Sequence, residues 1–348
     1  MRHTITRRDA LAGFSLLPLA TQTAAAAEVP ATRASTATTN PTNSNRAVPF
    51  APGDVVAGCT LLNDPRDDHR GRGRLLHYDA NLQLKNTIWT DDTTHIVQGV
   101  HFGPGRTLWA FDTFAYKILR FAADGRRLPN FTAAPARGFG HVTFAADGRF
   151  FMGENYVGEK SRVPLRTTLP FMPGTKRLGE GHLFEFSAKG KLVMEHATQV
   201  HGGMGGFQGL TASAITPDGK SIVYTSESGP KVFHYDLVGR RQLPDVIAYA
   251  ENTGNFFFDV AFDRAGRLLT VRGQGIDAFD LGGRKLRSYP LQSFGWASMS
   301  VPVTATHVYA SNFFTGELVK LDLASGQILA RADAGLKKSL SGVAEFPG

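Results

Sequence analysis

The sequence predicts an all-β fold, a six-bladed β-propeller with one blade closed by both ends of the chain, and three observations carry that reading. A block recurs about every 43 residues from Val55 onward, and self-similarity at that period is the signature of blades or solenoid turns. Its cleanest copies are Val100-His-Phe-Gly-Pro-Gly-Arg-Thr-Leu-Trp-Ala-Phe-Asp112, Val142-Thr-Phe-Ala-Ala-Asp-Gly-Arg-Phe-Phe-Met-Gly-Glu154 and Val260-Ala-Phe-Asp-Arg-Ala-Gly-Arg-Leu-Leu-Thr-Val-Arg272. A fourth, Ala214 to Glu227, fits the same frame. Second, Ser341-Gly-Val-Ala-Glu-Phe-Pro-Gly348 repeats the inner-strand register of Gln98-Gly-Val-His-Phe-Gly-Pro-Gly105. Third, Val55–Leu62, Leu75–Asp79 and Lys85–Trp89 read as three strands in need of just such an inner partner. Radial closure removes exposed sheet edges, and sharing a blade between the two ends locks the ring.

Taken in order, residues 1–27 have a basic start, an apolar middle and a small-residue end, the pattern of a secretory signal. Thr6-Arg7-Arg8-Asp9-Ala10-Leu11 resembles the twin-arginine export motif, with Ala12–Ala20 as apolar stretch and Ala25-Ala26-Ala27 as cleavage site. An ordinary secretory signal containing Arg7-Arg8 is the other reading. Either way a periplasmic or secreted bacterial protein is expected, with no membrane anchor after cleavage, because the apolar stretch is too short to span a bilayer. Residues 28–52, rich in Thr, Ala, Asn, Ser and Pro, read as a flexible low-complexity linker. The propeller then occupies 53–348. Its second blade is expected from about His95 to Phe131, the third from Gly138 to Val200, and the fourth from Gly209 to Ala250. The fifth runs from Phe256 to Leu291 and the sixth from Gly295 to Asp333. Tyr156 to Gly181 interrupts the period in the third blade and is placed to cap the channel. Tyr78-Asp79, Tyr235-Asp236, Phe279-Asp280 and Leu321-Asp322 end the third strands with a turn-forming Asp.

Composition narrows the function classes. Hydrophobic residues make up 42% of the chain, ample for a core, and 38 glycines suit many tight turns. The single cysteine, Cys59, excludes an intrachain disulfide and a CxxC metal site, and reads as a small buried strand residue. The net charge of +8 is spread over repeat turns such as Arg106, Arg126, Arg149 and Lys220. It is not interleaved with stacking aromatics, so no nucleic-acid partner is expected. A closed ring is expected to be a monomer, and a small-molecule ligand is the expected partner.

In such a ring the starts of the inner strands and the turns after the second strands converge on one mouth of the central channel. The inner-strand starts contribute Gln98, His141, Gln208 with Thr211, Asp259, Trp296 with Ser298, and Ser341. The second-strand turns add Asn63, Asp64, Asp112, Glu154, Asn155, Glu227, Arg272, Gln274 and Asn312, and loops add His95 and His201. Of these, His141, Glu154 and Asp259 are read as catalytic groups or metal ligands. Gln98, Asp112, Asn155, His201, Gln208, Glu227, Arg272, Trp296 and Asn312 are read as substrate contacts. Carboxylate and amide oxygens suit Ca²⁺ or Mg²⁺, imidazole suits a softer ion, Zn²⁺ and Mn²⁺ are the secondary candidates, and the same groups can act as general base. The competing reading is a wet channel whose polar groups only solvate ordered water. There is no G-x-S-x-G, since Thr225-Ser-Glu-Ser-Gly229 lacks the first glycine, so a covalent serine mechanism is not expected. His69, His77, His182, His196, His234 and His307 fall on outer strands or turns, where packing or surface roles are expected.

The Asp-Gly-Arg or Ala-Gly-Arg turn followed by a hydrophobic strand resembles the six-bladed propellers of the SMP-30/gluconolactonase/LRE-like and NHL-repeat groups, over about Val55 to Gly348. The resemblance implies a divalent metal held by a first-blade Glu and by Asn and Asp residues of later blades, and opening of a lactone or related ester. By register Asp259 falls within one residue of the family's Asp. The Asn positions fall at Gly140 or His141 and at Thr211, and the Glu near Ser341, so one of the four ligands is matched. The expectation is an exported propeller that binds a small molecule at the channel mouth and acts as a metal-assisted hydrolase. The alternatives are a non-catalytic scaffold of the NHL type that docks a protein, glycan or envelope ligand, and a metal-dependent lyase.

Overall fold

The computed structural model describes residues 47–64, 71–90, 99–113, 115–157, 179–204, 206–302 and 306–347. The expected signal, most of the expected linker, Gln98, His95 and the body of the third-blade insertion lie outside these residues. Six four-stranded antiparallel sheets form the six blades. The first is built, from channel outward, by β24 (Leu340–Glu345), β1 (Val55–Leu62), β2 (Gly71–Tyr78) and β3 (Leu84–Trp89). The second is β4 (Gly99–Phe102), β5 (Leu108–Asp112), β6 (Lys117–Phe121) and β7 (Arg127–Phe131). The third is β8 (Phe139–Phe144), β9 (Phe150–Glu154), β10 (Leu183–Phe186) and β11 (Leu192–His196). The fourth is β12 (Ala212–Ile215), β13 (Ser221–Thr225), β14 (Lys231–Asp236) and β15 (Arg241–Ala248). The fifth is β16 (Asp259–Phe262), β17 (Leu268–Val271), β18 (Gly275–Phe279) and β19 (Lys285–Pro290), and the sixth is β20 (Trp296–Ser300), β21 (His307–Asn312), β22 (Glu317–Asp322) and β23 (Ile328–Asp333). Each inner strand touches the inner strands of both neighbouring blades, so the ring is closed.

Period-two alternation explains where the core lies. Side chains of a strand point alternately to its two faces, and in a propeller each face meets a different neighbour. In β5, Leu108 and Ala110 pack with the first blade while Trp109 and Phe111 pack with the third. Repeated round the ring, this gives six hydrophobic clusters among the described residues, one in each cleft between blades. Cys59 is buried in one of them, as expected.

The turns follow from local chemistry. Gly125, Gly148 and Gly219 of the Asp-Gly-Arg/Lys turns take φ of 80°, 85° and 71°, a region open to glycine at little cost. The Asp before each accepts the amide two residues on, as Asp147 Oδ1 does from Arg149 N at 3.0 Å. The aromatic-Asp signature is explained in the same way. Asp79, Asp236, Asp280 and Asp322 each accept two downstream amides, Asp79 at 2.8 Å from both Asn81 and Gln83.

The closing blade carries its own latch. β24 pairs antiparallel with β1, Val55 opposite Glu345 and Gly58 opposite Gly342. Beside this seam the buried Asp54 carboxylate accepts Ala51 N at 2.9 Å, His77 Nε2 at 2.7 Å and Lys85 Nζ at 2.5 Å, while its carbonyl accepts Phe346 N at 2.7 Å. Burial alone raises a carboxyl pKa, but here the bonds from Ala51, Lys85 and His77 prevail and hold Asp54 below its ordinary value.

Candidate functional site

One funnel opens at the channel mouth, and each blade gives it a polar side chain: Ser341, His101, His141 with Asn155, Thr211 with Glu227, Asp259 and Ser298, in blade order. It is open to solvent, with a cavity volume of about 50 Å³. Apolar groups, among them Val100, Phe258 and Ala297, complete the wall.

Asp259 heads β16, so its side chain faces the axis. Oδ1 accepts Val260 N and Oδ2 accepts Met299 N from β20, both at 2.8 Å. Burial pushes its pKa up to about 6, against those two amides and the Ser298 hydroxyl, and the nearby Glu227 carboxylate adds to the rise. His141 Nε2 lies 2.9 Å from the Ser213 carbonyl; since that oxygen only accepts, Nε2 carries the proton and Nδ1 the lone pair. Burial pushes His141 down to about 4, so the ring is neutral near pH 7. His101 of β4 stands edge-on to it, ring centroids 4.2 Å apart at 76°. Burial, and then the neighbouring His141, hold His101 well below its ordinary value. Its Nε2 is enclosed and has no hydrogen-bond partner among the described residues. Sequence reasoning missed His101 because it looked only at the strand starts. Alternation was the available signal: two residues beyond Gly99, His101 returns to the channel face.

Four of the expected site residues therefore line the funnel together: His141, Asn155, Glu227 and Asp259. Glu154 does not join them. Its Oε1 accepts Arg137 Nε at 2.8 Å and its Oε2 accepts Gly181 N at 3.0 Å and His182 N at 2.9 Å, so the carboxylate clasps the base of the insertion. Trp296 is fully buried between blades and donates Nε1–H to Gln292 O at 2.9 Å. Asn312 is likewise buried and shapes a turn, its Oδ1 accepting Phe314 N at 2.9 Å and Thr315 N at 3.1 Å. Asp112 accepts Ala115 N at 3.1 Å in the equivalent turn of the second blade. Arg272 donates to Asp277 Oδ2 at 2.6 Å and to Asn255 Oδ1, with its guanidinium over Tyr249 and Phe257. His201 Nε2 pairs with Glu251 Oε1 at 2.8 Å, and Gln208 is buried where backbone bridges tie it to Tyr156 and Gly202. These six residues do not line the funnel.

The expected metal ligands do not fit an ion. His141, Glu154 and Asp259 have separate partners, and among the described residues no three His, Cys, Asp or Glu side chains gather as a metal site requires.

No protein-family model and no curated protein sequence matches the chain. Solved structures do. A chain of a nidogen/laminin complex aligns with a TM-score of 0.58 at 11% identity, covering 84% of this chain and 98% of that one. A protein of unknown function from Bacteroides caccae aligns with a TM-score of 0.58 at 14% identity, covering 86% and 100%. A gluconolactonase from Xanthomonas campestris aligns with a TM-score of 0.53 at 15% identity, covering 76% and 85%. The six-bladed propeller is thus shared with proteins of different roles, and at these identities the likeness is one of fold.

Proposed function

We propose that this propeller binds a small polar molecule in the funnel and hydrolyses an ester or lactone bond there, with Asp259 as general base. The observation that supports it is a buried carboxylate at the funnel wall, its pKa near 6, beside a second carboxylate and two neutral imidazoles. Ionised Asp259 would take a proton from water as that water attacks the carbonyl, and return it to the leaving alkoxide. The described donor set does not fit a divalent cation, so Asp259 itself activates the water. The gluconolactonase neighbour supports the choice of reaction only as an analogy of fold. The basic, apolar and small-residue pattern of residues 1–27 supports export to the periplasm or beyond, which cell fractionation tests.

The test is a pH-stat assay of the purified protein on lactones and aryl esters. Turnover should rise with pH through about 6, and Asp259→Asn should lose at least about 100-fold in kcat. A wild-type protein that opens none of them ends the hydrolase reading.

A second reading, a non-catalytic binding propeller, is favoured by the bond from Met299 N to Asp259 Oδ2, which joins the fifth and sixth blades. On that reading Asp259→Asn lowers the melting temperature and leaves ligand affinity unchanged.

A further inference from the structure

We propose that His101 sets the ligand specificity of the funnel, its Nε2 bonding to an uncharged hydroxyl group and so selecting neutral molecules over their carboxylate-bearing counterparts. The inference rests on the small-molecule reading above and adds the residue and the charge class.

Three independent features of the funnel support it. First, His101 Nε2 is an enclosed polar atom with no partner among the described residues, and His101 is one of the residues that line the funnel. An unsatisfied buried polar atom is costly, and a hydroxyl suits this one in either ring tautomer because it can give or accept the bond. Second, the ring is held in place. Phe111 lies edge-on at 6.1 Å between centroids and His141 at 4.2 Å, and His141 is itself fixed by the Ser213 carbonyl. Third, the charge around it disfavours an anion. Among the described residues no Lys or Arg lines the funnel, whereas Asp259 and Glu227 do. Arg137 is engaged with Glu154, and Arg272 with Asp277 and Asn255. The two imidazoles, neutral near pH 7, supply no compensating charge.

The experiment is a titration of the full protein, with ¹⁵N-labelled histidine followed by NMR, using two matched pairs of probes. These are methyl β-D-glucoside against methyl β-D-glucuronide, and 1,5-pentanediol against 5-hydroxyvalerate. The neutral member of a pair should shift the His101 Nε2 resonance, and its anionic counterpart should bind at least about tenfold more weakly, the equivalent of one hydrogen bond. His101→Phe should weaken the neutral probe by about tenfold while the melting temperature holds or rises, since an unpartnered polar atom is removed; His101→Gln, which keeps a polar atom near the Nε2 position, should restore binding. Equal binding of both members, or unchanged affinity in His101→Phe, overturns the role of His101 and leaves the small-molecule reading standing. Should wild type bind none of the four, both are overturned. The wild-type titration decides the charge question even if a variant fails to fold.

Discussion

Two buried Asp and His groupings sit at opposite ends of the same design problem. At the latch, Asp54 is surrounded by donors: an amide, an imidazole and the Lys85 ammonium converge on one carboxylate, and its pKa falls. At the funnel, Asp259 has two amides, no cation among its described partners and Glu227 close by, and its pKa rises. Residue type is therefore a poor guide to role in this molecule. What separates a structural carboxylate from one available for chemistry is whether positive charge has already been supplied to it.

The strongest challenge to that contrast is Asp54→Ala. It strands His77, with no exposed surface, beside the Lys85 charge, and should cost about 3–5 kcal/mol in urea unfolding, as removing one partner of a buried ion pair does. A loss below about 1 kcal/mol would make the latch ornamental.

Next in size is the pH dependence of stability at the funnel. Asp259 has a folded pKa near 6 against 3.8 unfolded, so the folded state binds the extra proton and this residue's contribution falls as pH rises from about 4 to 6, by about 3 kcal/mol in all. Asp259→Asn should remove that slope. His141 acts in the opposite sense, because its folded pKa near 4 lies below 6.5 and its contribution is lost as pH falls through that window. Denaturant unfolding of wild type, Asp259→Asn and His141→Gln at pH 4, 5 and 6 reads both slopes as differences. Parallel curves for wild type and Asp259→Asn would remove the distinction between funnel and latch.

The smallest expected effect comes from Glu154, which the register groups with Asp259 and the geometry groups with Asp54. Glu154→Gln should cost about 1–3 kcal/mol by weakening charge-assisted bonds to Arg137, Gly181 and His182, and should leave funnel affinity unchanged. A change in ligand affinity larger than the change in stability would return Glu154 to the site.

The fold was almost wholly legible because the clues to each blade are local, and the closing blade was betrayed by the match of Ser341–Gly348 to the inner-strand register. Alternating apolar residues, glycines at positive φ and Asp residues that bond their own turns each act within a few positions, and the six-fold repetition averages out errors in any one blade. The site was half legible. Register told which backbone positions face the axis, and so found His141, Asn155, Glu227 and Asp259. It did not tell where a long side chain goes once it arrives: Glu154 turns to Arg137, 17 residues away in sequence. Arg272 turns to Asp277 and Asn255, and Trp296 to the cleft between blades. Such choices depend on partners brought in by loops, for which a strand period carries no information.

The pairing of β24 with β1 has a bearing on how the chain is made. During vectorial synthesis β1 emerges early, yet its innermost partner begins only at Leu340, so the apolar edge of Val55, Val56 and Ala57 stays open until translation has passed that point. A product that stops short of Leu340 leaves the inner edge of β1 unpaired, and the ring cannot close through this blade.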